Sequence, residues 1–124
     1  NDKSDIEDAL IVNIGCDFKV IVDPTSDKSQ VLNTIMSRLA SEMSEKMHIG
    51  EPFYITNVFN TINKVDGVLD TTEVLPKLMV GTSYNTAPVS IEEMKSLDGT
   101  YLRAPRNVIF EIKDFNADIR GTAV

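Results

Sequence analysis

The chain contains one cysteine and one histidine, Cys16 and His48, which are the first residues to consider for nucleophilic chemistry. A Cys–His nucleophile requires the two side chains to meet. Cys16 falls on an apolar position of a predicted strand, where a free cysteine usually packs as a small hydrophobe. His48 lies beside Gly50 at a predicted helix end, where an imidazolium interacts favourably with the helix dipole. The sequence therefore predicts structural roles for both.

Other catalytic or cofactor-binding patterns are weak or missing. One His and one Cys are too few for a three-ligand zinc site. No glycine-rich nucleotide loop and no Gly-x-Ser-x-Gly elbow occurs. The carboxylates Asp66 and Asp70 flank a turn, and Glu92 with Glu93 fall in the first turn of a short predicted helix, where acids are expected. We expect no enzymatic activity, no cofactor, no metal and no small-molecule substrate.

The residue types favoured at protein-binding hot spots occur in an irregular segment, residues 81–106. The tyrosines and arginines there either anchor the loop or contact a partner. We take them as the candidate interface: Tyr84, Tyr101, Arg103 and Arg106.

The formal net charge is -7 and the pI is about 4.6, so the surface repels nucleic-acid phosphates and anionic membranes. No apolar run is long enough to span a bilayer, and no signal peptide is visible. The acidic residues near the start lack the loop spacing of a calcium hand. Because the chain starts at Asn1, we expect a processed protein or a piece of a longer one, with residues 1–9 as an acidic connector to an upstream part.

The elements that position these residues follow from periodicity. Apolar side chains occupy alternate positions from Leu10 to Val22, which predicts a strand with one buried face. Ile11 and Ile21 are apolar on the other face, which indicates cover by a neighbouring element or by a partner. Asp23-Pro24 ends this strand. Gly15 indicates a bulge or a bend.

Two amphipathic helices are predicted next. Ser26 or Asp27 caps the first, which ends near Gly50. Pro52 fits the first position of the second helix, and Asp66-Gly67 turns the chain after it. We therefore assign Pro52 and Gly67 to structural turns. The apolar stripes recur at helical spacing: Val31, Leu32, Ile35, Met36, Leu39, Met43 and Met47 in the first helix, and Ile55, Val58, Phe59 and Ile62 in the second.

Residues 68–80 and 107–113 read as two further strands, and Pro76 indicates that the first of these lies at a sheet edge or is bulged near the proline. Ser90 and Glu93 form a capping-box pattern for a helical turn. Residues 114–124 read as a polar tail. The expected fold is α+β, a two-layer sandwich in which two helices pack on a small, mostly antiparallel, three-stranded sheet.

The order of these local signals resembles a known family. The helix start in Gly50-Glu-Pro-Phe-Tyr, the Val65-Asp-Gly-Val68 turn into a strand, and the preceding strand and long helix resemble the C-terminal domain of phage baseplate J-like proteins. The closing segment, Ala104-Pro-Arg-Asn-Val-Ile-Phe-Glu-Ile-Lys with Asp118-Ile-Arg-Gly121, is similar to the end of the baseplate wedge protein of T-even-type phages.

This resemblance covers most of residues 10–121. It implies a single baseplate-J-like C-terminal domain at residues 10–124, with an irregular insertion at about 81–106. It also implies a structural, assembly role in the wedge and inner ring of a contractile phage-tail baseplate. The implied partners are copies of the same chain, as a homodimer or in ring contacts, and other wedge subunits. The implied location is the virion tail baseplate, assembled in the host cytoplasm.

Two other functions stay open at this point. A small ligand-binding regulatory domain of ferredoxin-like type has a similar pattern of elements, because fold alone does not decide function. Gly15 and the segment from Gly81 supply little of the polar, glycine-rich loop that such a domain needs. A hydrolase that uses His48 would need a nucleophile beside the imidazole.

Overall fold

The central element of the structure is a 13-residue strand, β1 (Leu10–Val22), which carries the strongest period-two pattern in the sequence. The structure, a computed structural model, describes residues 9–43, 47–85, 89–105 and 107–124. Six side chains at the even-numbered positions of β1, from Val12 to Val22, are at most 3 % exposed and belong to the hydrophobic core. The alternation of the sequence therefore sets which face of the sheet is buried.

Two helices pack against this buried face. Helix α1 (Lys28–Met43) begins after Asp27, whose carboxylate accepts hydrogen bonds from the backbone N–H of Ser29 and Gln30 at 2.9 and 3.3 Å. Helix α2 (Ile55–Asn63) contacts α1. The two helices bury apolar residues at helical spacing: Val31, Ile35 and Leu39 in α1, and Ile55, Val58 and Ile62 in α2.

A long antiparallel strand, β3 (Val68–Leu78), covers one edge of β1. The pairing runs from Ile14 opposite Leu78 to Val22 opposite Val68, with two register shifts on the way. The turn before β3 contains Gly67 at a φ of 95°, and a Cβ there would lie 2.9 Å from the Val31 side chain. The predicted turn at Gly67 therefore requires glycine for both backbone and packing reasons.

Two short strands lie end to end along the other edge of β1. Strand β5 (Val108–Glu111) pairs in parallel with the start of β1, and β6 (Ile119–Ala123) pairs in parallel with its second half. Between them the chain leaves the sheet and forms a single helical turn, α4 (Phe115–Asp118). On the buried face, helix α1 contacts β6 and helix α2 contacts β3, so the two helices lie over opposite edges of the same face.

The middle of the chain forms a second, smaller sheet. Strand β2 (Phe53–Tyr54) pairs antiparallel with β4 (Tyr101–Leu102), and a short helix, α3 (Ile91–Met94), precedes β4. The Ser90 hydroxyl caps α3 by accepting the Glu93 N–H at 3.3 Å, as the sequence predicts. Phe53, Met94 and Leu102 extend the core of the main sheet into this part of the chain.

The predicted arrangement of two helices on a three-stranded, mostly antiparallel sheet is wrong. The described residues form four helices, a four-stranded mixed sheet and a two-stranded sheet. The predicted polar tail contains β6, whose register is held by parallel pairing with distant β1 and not by a local pattern. Pro52 does not begin the second helix, because Phe53 and Tyr54 first pair with β4 and the helix begins at Ile55.

Candidate interaction surfaces

The face of the main sheet that points away from α1 and α2 is called the outer face. Residues directly opposite each other in neighbouring strands point to the same side of a sheet, so the pairing registers give its rows. Lys19 of β1 lies between Glu73 of β3 and Thr122 of β6, and Asp17 lies between Leu75 and Arg120. Where β1 lies between β3 and β6, the outer face consists of Asp17, Lys19, Ile21, Asp70, Glu73, Leu75, Lys77, Arg120, Thr122 and Val124.

Large apolar side chains are exposed on the outer face. Ile21 is 37 % exposed and Leu75 is 49 % exposed. Val124 continues β6 beside β1, because its N–H donates to the Val20 carbonyl and its carbonyl accepts from the Val22 N–H, each at 2.9 Å. Val124 therefore lies next to Ile21. Apolar side chains rimmed by charges are typical of contact surfaces.

Two pairs of opposite charges lie across the β1–β3 ladder on the outer face. The Lys77 ammonium lies 2.9 Å from the Asp17 carboxylate across the β1–β3 ladder. Lys19 lies opposite Glu73 in the next row. Since all four side chains are exposed or half-buried, such pairs contribute little to stability. Their arrangement matters more for the choice of a partner than for the fold.

A short segment after β3, residues 81–85, crosses the outer face near the start of β1, and we call it the strap. The Tyr84 hydroxyl donates a 2.5 Å hydrogen bond to the buried Asp118 carboxylate, and the Asn85 N–H donates to the Asn13 side-chain oxygen at 2.8 Å. The Lys113 ammonium donates to the Ser83 carbonyl. These contacts explain why Asn13 is buried although it faces away from the helices.

Gly15 belongs to β1 and lies beside the gap between the ends of β5 and β6. A Cβ at Gly15 would clash with the Asp118 carbonyl oxygen and would lie 2.9 Å from the Met79 sulfur. The expected bulge or bend at Gly15 is therefore better described as a close approach of two backbones. The register shifts of the β1–β3 ladder lie further along, after Lys19 and after Ile21.

The candidate interface residues from the sequence lie in different places. Tyr84 is half-buried and belongs to the strap, whereas Tyr101 belongs to β4, with its ring centroid 5.8 Å from that of Tyr54. The Arg103 guanidinium donates to the Glu93 carbonyl at 3.1 Å. Arg106 lies outside the described residues. Their interface role stays a prediction, but the structure gives Tyr84 a clear role in holding the strap.

A groove of about 500 Å³ lies between the end of α1 and the side of α2. Leu39, Met43 and Phe53 form part of its apolar lining, and the Glu42 carboxylate accepts a 2.5 Å hydrogen bond from the Thr61 hydroxyl at its rim. His48, which is exposed, also lines this groove.

Cys16 is 1 % exposed in the core, and burial raises the pKa of its thiol to about 12. A thiol in this state is protonated at neutral pH and is a poor nucleophile. His48 lies in the groove beside the helices, whereas Cys16 belongs to the buried face of β1.

Within residues 9–43, 47–85, 89–105 and 107–124, no group of three or more His, Cys, Asp or Glu side chains is arranged to hold a metal ion. In the same ranges, none of the helices has the length and apolar content needed to span a membrane. No protein-family model matches the chain, and the comparison with curated proteins finds no match.

Part of the outer face can be predicted from the sequence. Ile21 stands out as an apolar residue on the solvent side of β1, and this indicates a partner or a covering element. The flanking rows depend on how β3 and β6 pair with β1, and no local pattern reveals those registers.

Proposed function

We propose that the chain is a protein–protein assembly module of a contractile phage-tail baseplate, acting in its wedge and inner ring. The observation that carries the proposal is the part of the outer face that the described residues leave open beside the strap, where Ile21, Leu75 and Val124 are exposed among charges of both signs. The ordered resemblance of residues 10–121 to baseplate wedge proteins supplies the biological setting. The proposed partners are other wedge subunits and copies of the chain itself, in the virion tail baseplate after assembly in the host cytoplasm.

A non-enzymatic role agrees with the chemistry of the described side chains. Cys16 is buried with a raised pKa, and it is separated from His48 by its place in the core. The net charge of -7 supports protein partners over nucleic acid. A rigid module that presents one open sheet face suits a repeated contact in a symmetric assembly.

A ligand-binding regulatory domain is the second candidate, and the groove between α1 and α2 favours it. Its volume of about 500 Å³ falls within the range of small-molecule sites. The groove has an apolar lining and several polar groups at its rim, among them Glu42, Glu51 and Lys64. A stable ligand would be expected to raise the thermal midpoint of the domain.

Immuno-electron microscopy tests the baseplate role. An antibody against the folded domain is applied to virus particles produced from the genome that encodes the chain. We expect label at the end of a contractile tail away from the head. Label on capsids only, or on no particle in a preparation where a tail-sheath antibody labels well, would contradict the proposal. A thermal-shift screen of metabolites that reveals a saturable ligand of the groove would favour the second candidate.

A further inference from the structure

The outer face has a charge pattern that can complement itself. Along β1, Asp17 is followed on the same face by Lys19, and along β3 Lys77 and Asp70 lie at opposite ends of the face. Turning the face end over end about a line between Asp17 and Lys19 exchanges the charges within each of these two pairs. Glu73 then exchanges with the uncharged Leu75, and Arg120 exchanges with Thr122. The positions of these four charges follow from the β1–β3 register, which the amino-acid composition does not determine.

Two simple two-fold arrangements bring two outer faces together. With the axis parallel to the strands and directly over β1, Asp17 meets Asp17 of a second copy and Lys19 meets Lys19, so both central pairs repel. With the axis perpendicular to the strands and passing between these residues, Asp17 meets Lys19 of the second copy. The same rotation places Lys77 near Asp70 of the second copy. Like charges placed opposite each other disfavour the first arrangement.

The apolar side chains and the strap agree with the second arrangement. Ile21 and Val124 lie at the opposite end of the outer face from the strap, which crosses near Asn13. Turning one copy end over end therefore brings the exposed Ile21 towards the strap of the other copy. The strap then limits how far the two faces can slide along each other.

We propose that the outer face binds the outer face of a second copy in this antiparallel arrangement, with Asp17 of each copy opposite Lys19 of the other. This inference rests on the proposed assembly role and deepens it by naming one partner and its surface. Three strands spaced about 4.8 Å apart over about seven residues give a flat area of roughly 300–400 Å². Since a standard interface buries about 800 Å² per partner, we expect a weak dimer that gains strength inside a multivalent assembly.

The test uses sedimentation velocity at protein concentrations up to the order of 1 mM, where a weak dimer is populated. The variants Asp17→Lys and Lys19→Asp each create two repulsive contacts per dimer, so each alone should dimerise at least tenfold more weakly than the unchanged chain. An equal mixture of the two variants should associate again. In the mixed dimer the lysine introduced at position 17 meets the aspartate introduced at position 19, and the remaining native Lys19 meets the remaining native Asp17. The double variant D17K/K19D should also self-associate.

A matched control is available on another surface. Glu92 and Lys95 form an exposed ion pair with a 3.9 Å N–O distance next to α3, so Glu92→Lys and Lys95→Asp make the same charge changes away from the outer face. These variants should dimerise like the unchanged chain. Since Asp17 and Lys19 are exposed, all variants are expected to fold, and circular dichroism with urea unfolding checks this.

The outcomes separate this inference from the proposed function. A chain that stays monomeric at every concentration, or single variants that dimerise normally, would overturn the self-pairing. So would a mixture that fails to associate although both variants are folded. Label at the tail end of virus particles, together with any of these results, would leave the assembly role standing with a different partner for the outer face.

Discussion

The hydroxyl of Tyr84 donates a 2.5 Å hydrogen bond to the carboxylate of Asp118, which is fully buried. The two residues lie on opposite sides of β1, one in the strap that follows β3 and the other in α4 between β5 and β6. The second carboxylate oxygen of Asp118 accepts the Asp114 N–H at 3.1 Å. The bond between Tyr84 and Asp118 therefore joins the two edges of the sheet across its outer face.

Replacing Tyr84 by Phe should destabilise the domain. The change removes the phenol donor and leaves one oxygen of the buried Asp118 carboxylate without that partner, and an unsatisfied buried acceptor costs about 1–3 kcal/mol. Urea unfolding followed by far-ultraviolet circular dichroism measures the change. The transition midpoint should fall while the slope of the transition stays constant, because the fold itself is retained.

Tyr101→Phe is the matched control for this prediction. Tyr101 is also half-buried and contacts Tyr54 through its ring, a contact that phenylalanine keeps. We expect the free energy of unfolding of the Tyr101→Phe variant to stay within about 0.5 kcal/mol of that of the unchanged chain. Equal losses in the free energy of unfolding would show that the effect is not specific to the Tyr84–Asp118 hydrogen bond.

Stability should fall at alkaline pH because of the same bond. The hydrogen bond to Asp118, followed by desolvation and the nearby carboxylates of Asp118 and Asp114, raises the pKa of Tyr84. The unfolded chain ionises its tyrosines near pH 10. Since the folded pKa is raised, the stabilisation is fully present below pH 10 and is lost as the pH rises through the folded pKa.

Urea midpoints of the unchanged chain and of Tyr84→Phe, measured between about pH 8 and pH 11.5, test this dependence. The difference between the two proteins should be constant below about pH 10 and should shrink above it. The absorbance at 295 nm of the unchanged chain, minus that of Tyr84→Phe, should show the ionisation of Tyr84 above pH 10. A difference that grows with pH would contradict the direction of the pKa shift.

Gly121→Ala should destabilise the domain by overpacking. A Cβ at Gly121 would clash with the end of the Phe18 ring, and Phe18 is buried in the core. Forcing extra atoms into a packed site costs about 1–3 kcal/mol. Thermal unfolding by calorimetry measures the effect, and Thr122→Ala, an exposed change on the same strand, should have little effect.

A double variant makes this explanation specific. Phe18→Leu removes the ring atoms that the new methyl group would meet, so F18L/G121A should be more stable than the sum of the two single effects predicts. Simple additivity would indicate that alanine weakens β6 by another route, such as altered pairing with β1.

Cys16 should react slowly in the folded protein. Its thiol is 1 % exposed, and burial raises its pKa to about 12, so both access and thiolate formation are suppressed. Reaction with a disulfide reagent at pH 8 should be at least about 100-fold slower than in urea, because it needs local or global opening. Rapid reaction in the native state would place Cys16 outside the core.

The sequence predicts those strands, helix starts and turns whose determining residues lie close together in the chain. The alternation from Leu10 to Val22 predicts β1, and Asp27 and Ser90 predict two helix starts that the hydrogen bonds support. The Asp66-Gly67 turn is also readable, because a positive φ strongly favours glycine. In each case the responsible residues lie within a few positions of each other.

The remaining parts of the fold depend on partners that lie far apart in the chain. Ile119–Ala123 has no clear alternation, and its glycine is explained only by the Phe18 ring that packs over it. Pro52 has the local pattern of a helix start, because the pairing of Phe53 with Leu102 is not visible locally. The sequence singles out Tyr84 by its residue type, whereas only the tertiary structure reveals that its hydroxyl bonds to Asp118.

The end-to-end placement of β5 and β6 on β1 has a consequence for synthesis on the ribosome. At about 5–20 residues per second, β1 emerges on the order of ten seconds before its two parallel neighbours are translated. During this interval β3 can pair with one edge of β1, whereas the other edge stays unpaired until β5 and β6 are translated. A nascent chain that stalls before Ile119 therefore exposes an unpaired β-strand edge, which is a site for aggregation or for chaperone binding.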